Sequence, residues 1–475
     1  MKTLTLLVLF ATLSAHVGAQ APLVTPLPQP AAAEALYAID ATTGTVYLLR
    51  DLNGDGNANG VGEVSVFFDD TSAEVALHPV APQALAVGPD GTVYVGDAGA
   101  DRILALSDLN ADGDALDTGE ALIFYDDLSL IEAPFETVGE ISVAADGVVI
   151  VTDLGGGAHD DRTIIRLQDN DGDGYCEGEL ECLLLYSFTM TSGIEIARPA
   201  GLAIAPDGSL FVSDLVSDSL YRLVDTIGNE DLDANDVDEQ ISSYVPSPSS
   251  VVPNVIEHLE MTSGGALFGS DGPESSVYRW FDANADGVFQ EAEAVEYWSP
   301  DSAGVLPGSP RGLDSTDAPE LWVADAAFPA RVIRLVDADL DGNANDLGDS
   351  TVFVDETNQS GFTLFSIVAV AAVPDGASLV VPFLRSDVNR DGLVNISDPI
   401  QLLAHLFVFG ADPLECPDSA DVDDDGALVI SDAVLLLTAL FVSPVPVPAP
   451  GSVACGPDPT ADSLAPCLDE VSACP

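Results

Sequence analysis

The sequence predicts an all-β six-bladed β-propeller followed by a small α-helical module built from paired EF-hand-type loop–helix units. Three observations lead to this prediction: a repeated pair of short strands, acidic loops interleaved with them, and a change of pattern after residue 384. The repeats recur at intervals of roughly 50 to 60 residues, the length of a propeller blade. The expected divisions are a signal peptide (1–19), a Pro/Ala-rich leader (20–34), the propeller (35–383), the helical module (384–442), and a Pro-rich linker with a Cys-containing tail (443–475).

The first residues have the features of a secretory signal. Lys2 is charged, residues 4–15 are apolar, and the small residues at 17–19 form a cleavage site. The apolar stretch is too short to span a bilayer, and no later run reaches that length. We therefore expect a secreted protein without a membrane span, located outside the cell, at the cell surface or in the periplasm.

The chain is strongly acidic, with 79 acidic residues against 13 basic ones, and Lys2 is its only lysine. Nucleic acids and anionic membranes are bound through basic surfaces, so the composition argues against both as partners. The missing lysine also excludes Schiff-base chemistry and a phosphate-binding P-loop.

The strand repeat defines the blades. Residues 85–97 and 202–214 each contain an apolar run, a Pro-Asp-Gly turn and a second apolar run that ends in Asp, and looser copies begin at residues 141, 261, 313 and 367. A third strand, a loop and a fourth strand follow, which gives the four antiparallel strands of a blade. The N-terminal unit lacks a first strand. Residues 368–373 would supply it, closing the ring and removing exposed sheet edges.

Seven loops of the form Asp-x-Asn/Asp-x-Asp-Gly predict about seven calcium ions. Calcium prefers six to eight oxygen ligands, and the glycine permits the sharp turn that brings them together. Five of these loops precede a fourth strand, and four of the five end in an acid at position 13 instead of 12, as expected for a loop that leads into a strand. The unit at 225–239 lacks the Asp-Gly step and is predicted to be degenerate. The predicted propeller ligands are Asp51, Asn53, Asp55, Asn57, Glu63, Asp108, Asn110, Asp112, Asp114, Glu120, Asp169, Asp171, Asp173, Glu181, Asp282, Asn284, Asp286, Glu293, Asp337, Asp339, Asp341 and Asp349.

The last two loops are each followed by an apolar segment, at 399–409 and 433–442. Asp-Val-Asn-Arg-Asp-Gly and Asp-Val-Asp-Asp-Asp-Gly with these segments closely resemble a type I dockerin over about residues 386–442. The resemblance implies a calcium module that docks to a cohesin-like or cell-surface protein in extracellular polysaccharide breakdown. It implies the ligands Asp387, Asn389, Asp391, Asn395, Asp398, Asp421, Asp423, Asp425 and Asp432. Dockerins commonly carry polar contact residues on helices that are nearly all apolar here, so a self-packed structural unit is the alternative.

The blade runs Gly-Leu-Ala-Ile-Ala-Pro-Asp-Gly and Leu-Phe-Val-Ser-Asp resemble six-bladed propellers that include NHL repeats, gluconolactonase-like lactonases and quinone-dependent sugar dehydrogenases. Such runs are structural and occur in enzymes and non-enzymes alike. We expect a binding or scaffold protein with a polysaccharide or protein ligand on the propeller. The alternative is a carbohydrate-active enzyme, a lactone hydrolase or sugar dehydrogenase-like, with its site at the central opening. The sequence assigns no catalytic residue and no cofactor besides calcium.

A pocket at the central opening is expected on the face opposite the calcium loops, because those loops share the other face with the Pro-Asp-Gly turns. The candidates for its lining are His78, Glu136, Arg198, His258 and Arg311. The alternative for the two arginines, which we favour, is pairing with the blade-end acids Asp214 and Asp325. His159 is expected to be a solvated loop residue.

Six cysteines in an exported chain predict disulfides. Cys176 and Cys182 are close in sequence and could staple one loop. Three pairings are open for the C-terminal group of Cys416, Cys455, Cys467 and Cys474. A zinc site is the alternative for that group, although it lacks Cys-x-x-Cys spacing.

Overall fold

The structure, a computed structural model, covers the propeller and the helical module with gaps. It describes residues 35–110, 112–126, 137–155, 162–170, 174–176, 178, 181–187, 196–224, 240–244, 255–282, 289, 293–315, 320–373, 384–390, 392–408, 414, 416–424, 426–442, 447–448 and 451. The predicted signal peptide, the leader and the degenerate unit at 225–239 lie outside these ranges. So do the following residues singled out above: Asp171, Asp173, Asn284, Asp286, Asp391, Asp425, Glu136, His159, Cys455, Cys467 and Cys474.

The described chain forms 24 strands followed by helices. The strands are β1 (Ala35–Asp40), β2 (Thr45–Arg50), β3 (Val64–Phe68), β4 (Pro82–Val87), β5 (Val93–Asp97), β6 (Arg102–Leu106), β7 (Ala121–Asp126), β8 (Val138–Val143), β9 (Val149–Asp153), β10 (Thr163–Leu167), β11 (Cys182–Ser187), β12 (Pro199–Ile204), β13 (Leu210–Asp214), β14 (Ser219–Val224), β15 (Gln240–Tyr244), β16 (His258–Met261), β17 (Ala266–Asp271), β18 (Ser276–Phe281), β19 (Ala294–Trp298), β20 (Pro310–Ser315), β21 (Glu320–Asp325), β22 (Arg331–Val336), β23 (Ser350–Val354) and β24 (Ile367–Ala372). A short 3-10 helix lies at Val75–Leu77.

The strands pair into six four-stranded antiparallel sheets, which confirms the six-bladed propeller. Blade one has the order β24-β1-β2-β3, and blades two to six follow in chain order from β4 to β23. The last strand therefore completes the first blade: Leu36 pairs with Ala372, and Tyr37 with Ala371. This closure is the predicted one, and it removes the free edges that an open ring would expose.

The core lies between neighbouring blades. One apolar cluster joins Val46 and Phe68 of blade one to Val95 and Leu104 of blade two, all fully buried or nearly so. Because each sheet packs on both faces, its second strand is apolar almost throughout, and all five residues of β5 are buried.

The aspartate that ends the second strand of each blade is buried and accepts hydrogen bonds from the chain that enters the first strand. We call it the clamp aspartate. Asp97 shows the arrangement, since its Oδ1 accepts the N–H groups of Val80 and Ala81, both at 3.0 Å. These N–H groups belong to the chain entering the first strand of the same blade. The six equivalent carboxylates, each at most 2% exposed, are Asp40, Asp97, Asp153, Asp214, Asp271 and Asp325. A buried acceptor with several donors is well satisfied, which explains why the repeat retains Asp here.

We expected Arg198 and Arg311 to pair with the blade-end acids Asp214 and Asp325. The structure shows different contacts for both arginines. Arg311 forms its ion pair with Glu257 instead of Asp325. Arg198 contacts Asp214 through its backbone N–H, at 2.9 Å. The guanidinium groups that do pair with clamp carboxylates come from the third strand of the blade: Arg102 lies 3.1 Å from Asp97, and Arg331 lies 2.8 Å from Asp325.

Two glycines allow the inner strands to converge on the ring axis. A Cβ on Gly312 would lie 2.6 Å from the Cα of Ala369, and one on Gly201 would lie 2.9 Å from Cγ of Leu259. Real side chains do not tolerate such contacts, so these positions bring the first strands of adjacent blades together.

The C-terminal module contains α1 (Ser397–Phe407), the short α2 (Pro417–Ala420) and α3 (Ile430–Phe441). Both predicted helices are present, but α1 begins two residues and α3 three residues before the predicted starts at 399 and 433. Each helix therefore starts inside its acidic loop. Leu402 and Leu436 are buried in a small core of their own. None of the helices that the structure describes is long and apolar enough to cross a membrane.

The predicted bridge between Cys176 and Cys182 is not formed, because Cys176 is a free, buried thiol. Both cysteines pack in the apolar cluster between blades two and three. Cys416 is disulfide-bonded. The choice among the C-terminal pairings involves cysteines outside the described residues.

Candidate calcium sites and central cavity

Six of the seven acidic loops share one internal hydrogen bond. In each, the carboxylate of the first Asp accepts the N–H of the glycine at position 6. The pairs are Asp51–Gly56 (2.7 Å), Asp108–Gly113 (2.9 Å), Asp169–Gly174 (2.8 Å), Asp337–Gly342 (2.9 Å), Asp387–Gly392 (2.8 Å) and Asp421–Gly426 (2.8 Å). Propeller and module loops thus have the same turn, the turn that convergent calcium ligation requires.

In six of the loops the acid that ends the loop is buried in it. Glu120 is 2% exposed, and its two oxygens accept N–H groups of Leu109 at 3.0 Å and Asp117 at 2.9 Å. Asp432 is fully buried in the same way in the second module loop. The buried closing acids are Glu63, Glu120, Glu181, Asp349, Asp398 and Asp432. The acid at position 13 of these propeller loops and the acid at position 12 of the module loops therefore occupy equivalent places in their loops, as the spacing predicts.

Two loops bring three carboxylates close enough to share one ion. The oxygens of Asp337, Asp339 and Asp341 lie within 4.8 Å of one another, as do those of a second set in the module. The second set is Asp421, Asp423 and Asp432. Hard oxygen donors at this spacing suit calcium, which takes six to eight oxygens, better than the softer metals that prefer nitrogen and sulfur.

Loops with asparagine ligands hold them beside the acids. The side-chain amide of Asn110 donates to Asp112 at 3.0 Å and to Asp117 at 2.7 Å. In the module, the amide of Asn389 donates to the Ser397 hydroxyl at 2.9 Å. An amide has both a donor and an acceptor end, so the carbonyl oxygen is the end available to a cation.

The blade-two loop has the electrostatics of a cation site. Burial, followed by repulsion from Asp112, Glu120 and Asp108, raises the pKa of Asp114 to about 6. Carboxylates crowded at this spacing resist ionising together. A bound divalent cation would reverse the effect by favouring the ionised form of each ligand.

The eighth residue of the propeller loop bonds to the preceding blade in blades one, two, three and six. Its N–H donates to a carbonyl of that blade's outer strand, and that carbonyl belongs to an aromatic residue. The described pairs are Ala58–Phe353 (2.7 Å), Ala115–Phe67 (2.8 Å), Cys176–Phe124 (2.8 Å) and Ala344–Tyr297 (2.7 Å). All four donors are fully buried. In blade five, Phe289 occupies this position and packs against Phe211 of blade four, with ring centroids 5.1 Å apart. We call these residues the latch residues.

Sequence reasoning missed the latch residues. The signal was present, because position 8 holds Ala, Cys or Phe in every propeller loop and is never polar. A single alanine carries little information, so the pattern is visible only when the propeller loops are aligned with one another.

A cavity of about 350 Å³ lies on the ring axis, lined by the inner strands of the blades. Its polar lining includes Glu140, Ser142, Glu260, Asp314 and Ser315. No predicted ligand belongs to this group. Each of the three acids lies on the inner strand of its blade, β8, β16 or β20.

The three cavity acids connect the inner strands. Glu140 Oε2 accepts the N–H groups of Leu202 at 2.8 Å and Leu259 at 3.0 Å, so one carboxylate joins blades three, four and five. Its other oxygen lies 3.2 Å from Nδ1 of His258.

The next two acids continue the series around the ring. Glu260 accepts the hydroxyl of Ser315 at 2.5 Å, and Asp314 accepts the N–H of Ala372 at 2.6 Å. These contacts join blade five to blade six and blade six to blade one. The acids therefore have a structural role whether or not they also bind a ligand.

The cavity favours the protonated form of two of these acids. Burial, opposed by N–H donation from Ala372 and Ser315 and reinforced by the Glu140 charge, raises the pKa of Asp314 to about 7. Burial, and then the Asp314 charge, raises the pKa of Glu260 well above its usual value. The like charges are close, so the pair titrates as a unit.

The cavity does not lie where the sequence places it. Its lining comes mainly from the later residues of the inner strands, such as Leu313 and Val373, which lead into the turns on the face that carries the acidic loops. None of the four described candidates lines it; they are His78, Arg198, His258 and Arg311. His258 instead supports Glu140 from the first residue of its strand.

The helical module exposes apolar side chains at matching positions of its two halves. The separation between members of each pair equals that between Asp387 and Asp421. The pairs, with exposed fractions, are Ile396 (46%) and Ile430 (56%), Ile400 (58%) and Val434 (54%), Phe407 (65%) and Phe441 (65%), and Val408 (57%) and Val442 (80%). We call these eight residues the paired apolar face. None of the eight belongs to the small core that the two helices form.

No protein-family model matches the chain, and no curated protein matches it. Several solved structures resemble it weakly. A protein of unknown function from Bacteroides caccae shares 10% identity, covering 72% of this chain and 98% of that one, with a TM-score of 0.43. A gluconolactonase from Xanthomonas campestris shares 16% identity over 62% and 84%, with a TM-score of 0.37. Virginiamycin B lyase from Staphylococcus aureus shares 16% over 57% and 69%, with a TM-score of 0.34. The blade assignment consequently rests on the strand pairing described above.

Proposed function

We propose that this protein is a secreted, calcium-loaded propeller that acts as a binding or scaffold protein and docks through its C-terminal module. The observation that carries the calcium assignment is the shared loop structure. The first Asp bonds the position-6 glycine, and the closing acid is buried in the loop, as in Asp108, Gly113 and Glu120. Calcium would supply positive charge to loops that otherwise confine several carboxylates.

The latch residues support a structural role for the metal in the propeller. A calcium ion held by residues 108–120 would fix the backbone on both sides of Ala115, which bonds Phe67 of the preceding blade. Binding to the folded loop alone stabilises the folded state. Loss of the ion should therefore loosen contacts between blades as well as the loop.

The paired apolar face supports docking. Phe407 and Phe441 are each 65% exposed on helices whose inner residues already form a core. We propose a cohesin-like or cell-surface protein as the partner, in a polysaccharide-degrading assembly. The double variant Phe407→Ser/Phe441→Ser should retain calcium and its melting temperature but lose binding to a type I cohesin domain in a surface-immobilised assay. Wild-type-like binding by this variant would contradict the proposal that the paired apolar face contacts the partner.

The calcium proposal is tested by ion counting and calorimetry on the full chain, in calcium, in chelator, and in magnesium at equal ionic strength. We expect uptake of several calcium ions, about seven if every loop binds, and higher melting temperatures in calcium than in the other two conditions. A chain that takes up no calcium and melts identically in chelator would overturn the proposal.

A second candidate function is suggested by the axial cavity. Asp314, with its pKa near 7, could exchange a proton at neutral pH, and Glu260 lies beside it. This arrangement favours a carbohydrate-active hydrolase of the lactonase type over a sugar dehydrogenase, because no redox group is needed. Hydrolysis of glucono-δ-lactone by the wild-type chain, with loss in Glu260→Gln, would support it. Rates equal to the buffer rate would exclude this substrate.

A further inference from the structure

A second cavity, of about 330 Å³, lies between blades five and six. Its lining comes from the turn after β16, from β17, β18, β19 and β21, and from the loop at 337–349. It shares no lining residue with the axial cavity. Two of its residues have a role assigned above: Asp337 is a predicted calcium ligand, and the Tyr297 carbonyl accepts the N–H of the latch residue Ala344.

The body of this cavity is apolar and aromatic. Phe268 and Tyr297 meet edge to face, with ring centroids 4.9 Å apart. Phe281 is 45% exposed and Leu340 is 80% exposed at the cavity. Large apolar side chains beside a concave site are typical of small-molecule pockets.

Leu340 is unusual for its backbone as well as its exposure. It has φ of 62°, in the left-handed region that disfavours leucine. The same loop position holds Gly54 in blade one, and Arg390 and Asp424 in the module. Among the described copies of this position, only Leu340 is apolar and lines a cavity. A ligand covering the leucine would remove its apolar surface from water.

Arg279 is the cationic side chain among the residues that line the cavity. The Arg279 guanidinium lies 5.8 Å from the centre of the Phe281 ring, and its Nη1 donates to the carbonyl of Gly342 at 3.2 Å. Its Nε is buried without a hydrogen-bond partner. The nearby acid Glu320 is already paired with Arg334, so it does not neutralise Arg279. The buried Nε is closed to a ligand, so the guanidinium would meet a carboxylate or sulfonate through its terminal nitrogens and its charge.

We propose that this cavity binds a small aromatic compound carrying one anionic group, with its ring against Phe281 and Leu340 and its anion toward Arg279. One part of the inference rests on the proposed calcium function. Asp337 lines the cavity and is the first ligand of the blade-six loop. Calcium in that loop would neutralise it and strengthen anion binding.

The test is a fluorescence titration of the full chain with 8-anilinonaphthalene-1-sulfonate in calcium. We expect one saturable site that is weakened roughly tenfold or more in Leu340→Gly, because the variant removes an apolar wall. Glycine suits the left-handed backbone, so this variant should fold normally. Arg279→Gln should weaken the same site. Leu347→Ser is the matched control, since Leu347 is 84% exposed in the same loop but does not line the cavity.

Unchanged affinity in Leu340→Gly, or the absence of a saturable site in the wild-type chain, would overturn the proposal. Repeating the titration in chelator separates the proposal of a ligand-binding cavity from the proposal of calcium in the blade-six loop. Weaker binding in chelator supports both. A site lost in Leu340→Gly but indifferent to chelator keeps the cavity assignment and argues against calcium in the blade-six loop.

Discussion

The backbone N–H of Ala58 donates to the carbonyl oxygen of Phe353 at 2.7 Å, which joins the acidic loop of blade one to the outer strand of blade six. The same loop and the segment after β23 share further bonds, including the Gln359 N–H to the Asn59 carbonyl at 2.7 Å. The ring is thus closed twice, on the inside by β24 and on the outside by this loop.

Enlarging the latch residue of blade one should weaken this outer closure. Ala58 is fully buried, so Ala58→Leu should lower the free energy of unfolding by about 1–3 kcal/mol through overpacking. Urea denaturation in saturating calcium measures the change. Val61→Leu is the control, because Val61 is 76% exposed in the same loop and should change stability by less than about 0.5 kcal/mol. Equal effects of the two substitutions would contradict the stabilising role assigned to the Ala58 latch residue.

Removing the charge of one closing acid should delete one calcium ion. Glu120→Gln leaves a single acceptor oxygen where the carboxylate accepts Leu109 and Asp117, so we expect one ion fewer per chain and a loss of about 1–3 kcal/mol in calcium. Ion counting and denaturation check the two effects. Asp70→Asn, at an exposed acid outside the loops, should change neither. A full complement of ions in Glu120→Gln would show that this acid is not a ligand.

The axial cavity should make stability fall as pH rises. The folded state raises the pKa of Asp314 from 3.8 to about 7, so it holds this proton more tightly than the unfolded chain does. Its contribution is complete below pH 3.8 and is lost as the pH rises through about 7.

Denaturation at pH 6 and pH 8 in saturating calcium measures this loss, which we expect to be on the order of 1 kcal/mol between these two values. Asp314→Asn should flatten the dependence, whereas Asp301→Asn, at an exposed acid, should not. An unchanged slope in Asp314→Asn would show that Asp314 does not titrate in this range.

The helical module should depend on one buried arginine. Arg385 is fully buried; its Nη1 donates to the Asp421 carbonyl at 2.7 Å, and its Nη2 lies 3.1 Å from Asp424. Arg385→Met leaves the carbonyl without its donor inside the second loop, so we expect a loss of about 3 kcal/mol from the module alone. Calorimetry should show a lower transition for the module and an unchanged one for the propeller. A shift in the propeller transition instead would contradict this assignment.

The fold was predictable because its signals are local and repeated. The strand runs, the Pro-Asp-Gly turns and the position-13 acids recur in blade after blade, so each copy supports the others. A pocket at the central opening was expected, but its lining was not predictable, since Glu140, Glu260 and Asp314 are far apart in sequence and meet only when the ring closes. The helix starts were missed because Ser397 and Ile430 lie within loops that were treated as ending before the helices.

The latch of blade one also has a consequence for the order of folding. Ala115 and Cys176 each bond a residue about 50 positions earlier, so a chain growing from its N-terminus can form these contacts as soon as each blade is complete. Ala58 must wait for Phe353, almost the whole propeller later. Contacts of such long sequence separation are slow to form. We therefore expect refolding to show a late step that Ala58→Leu retards, while the blades themselves assemble at wild-type rates.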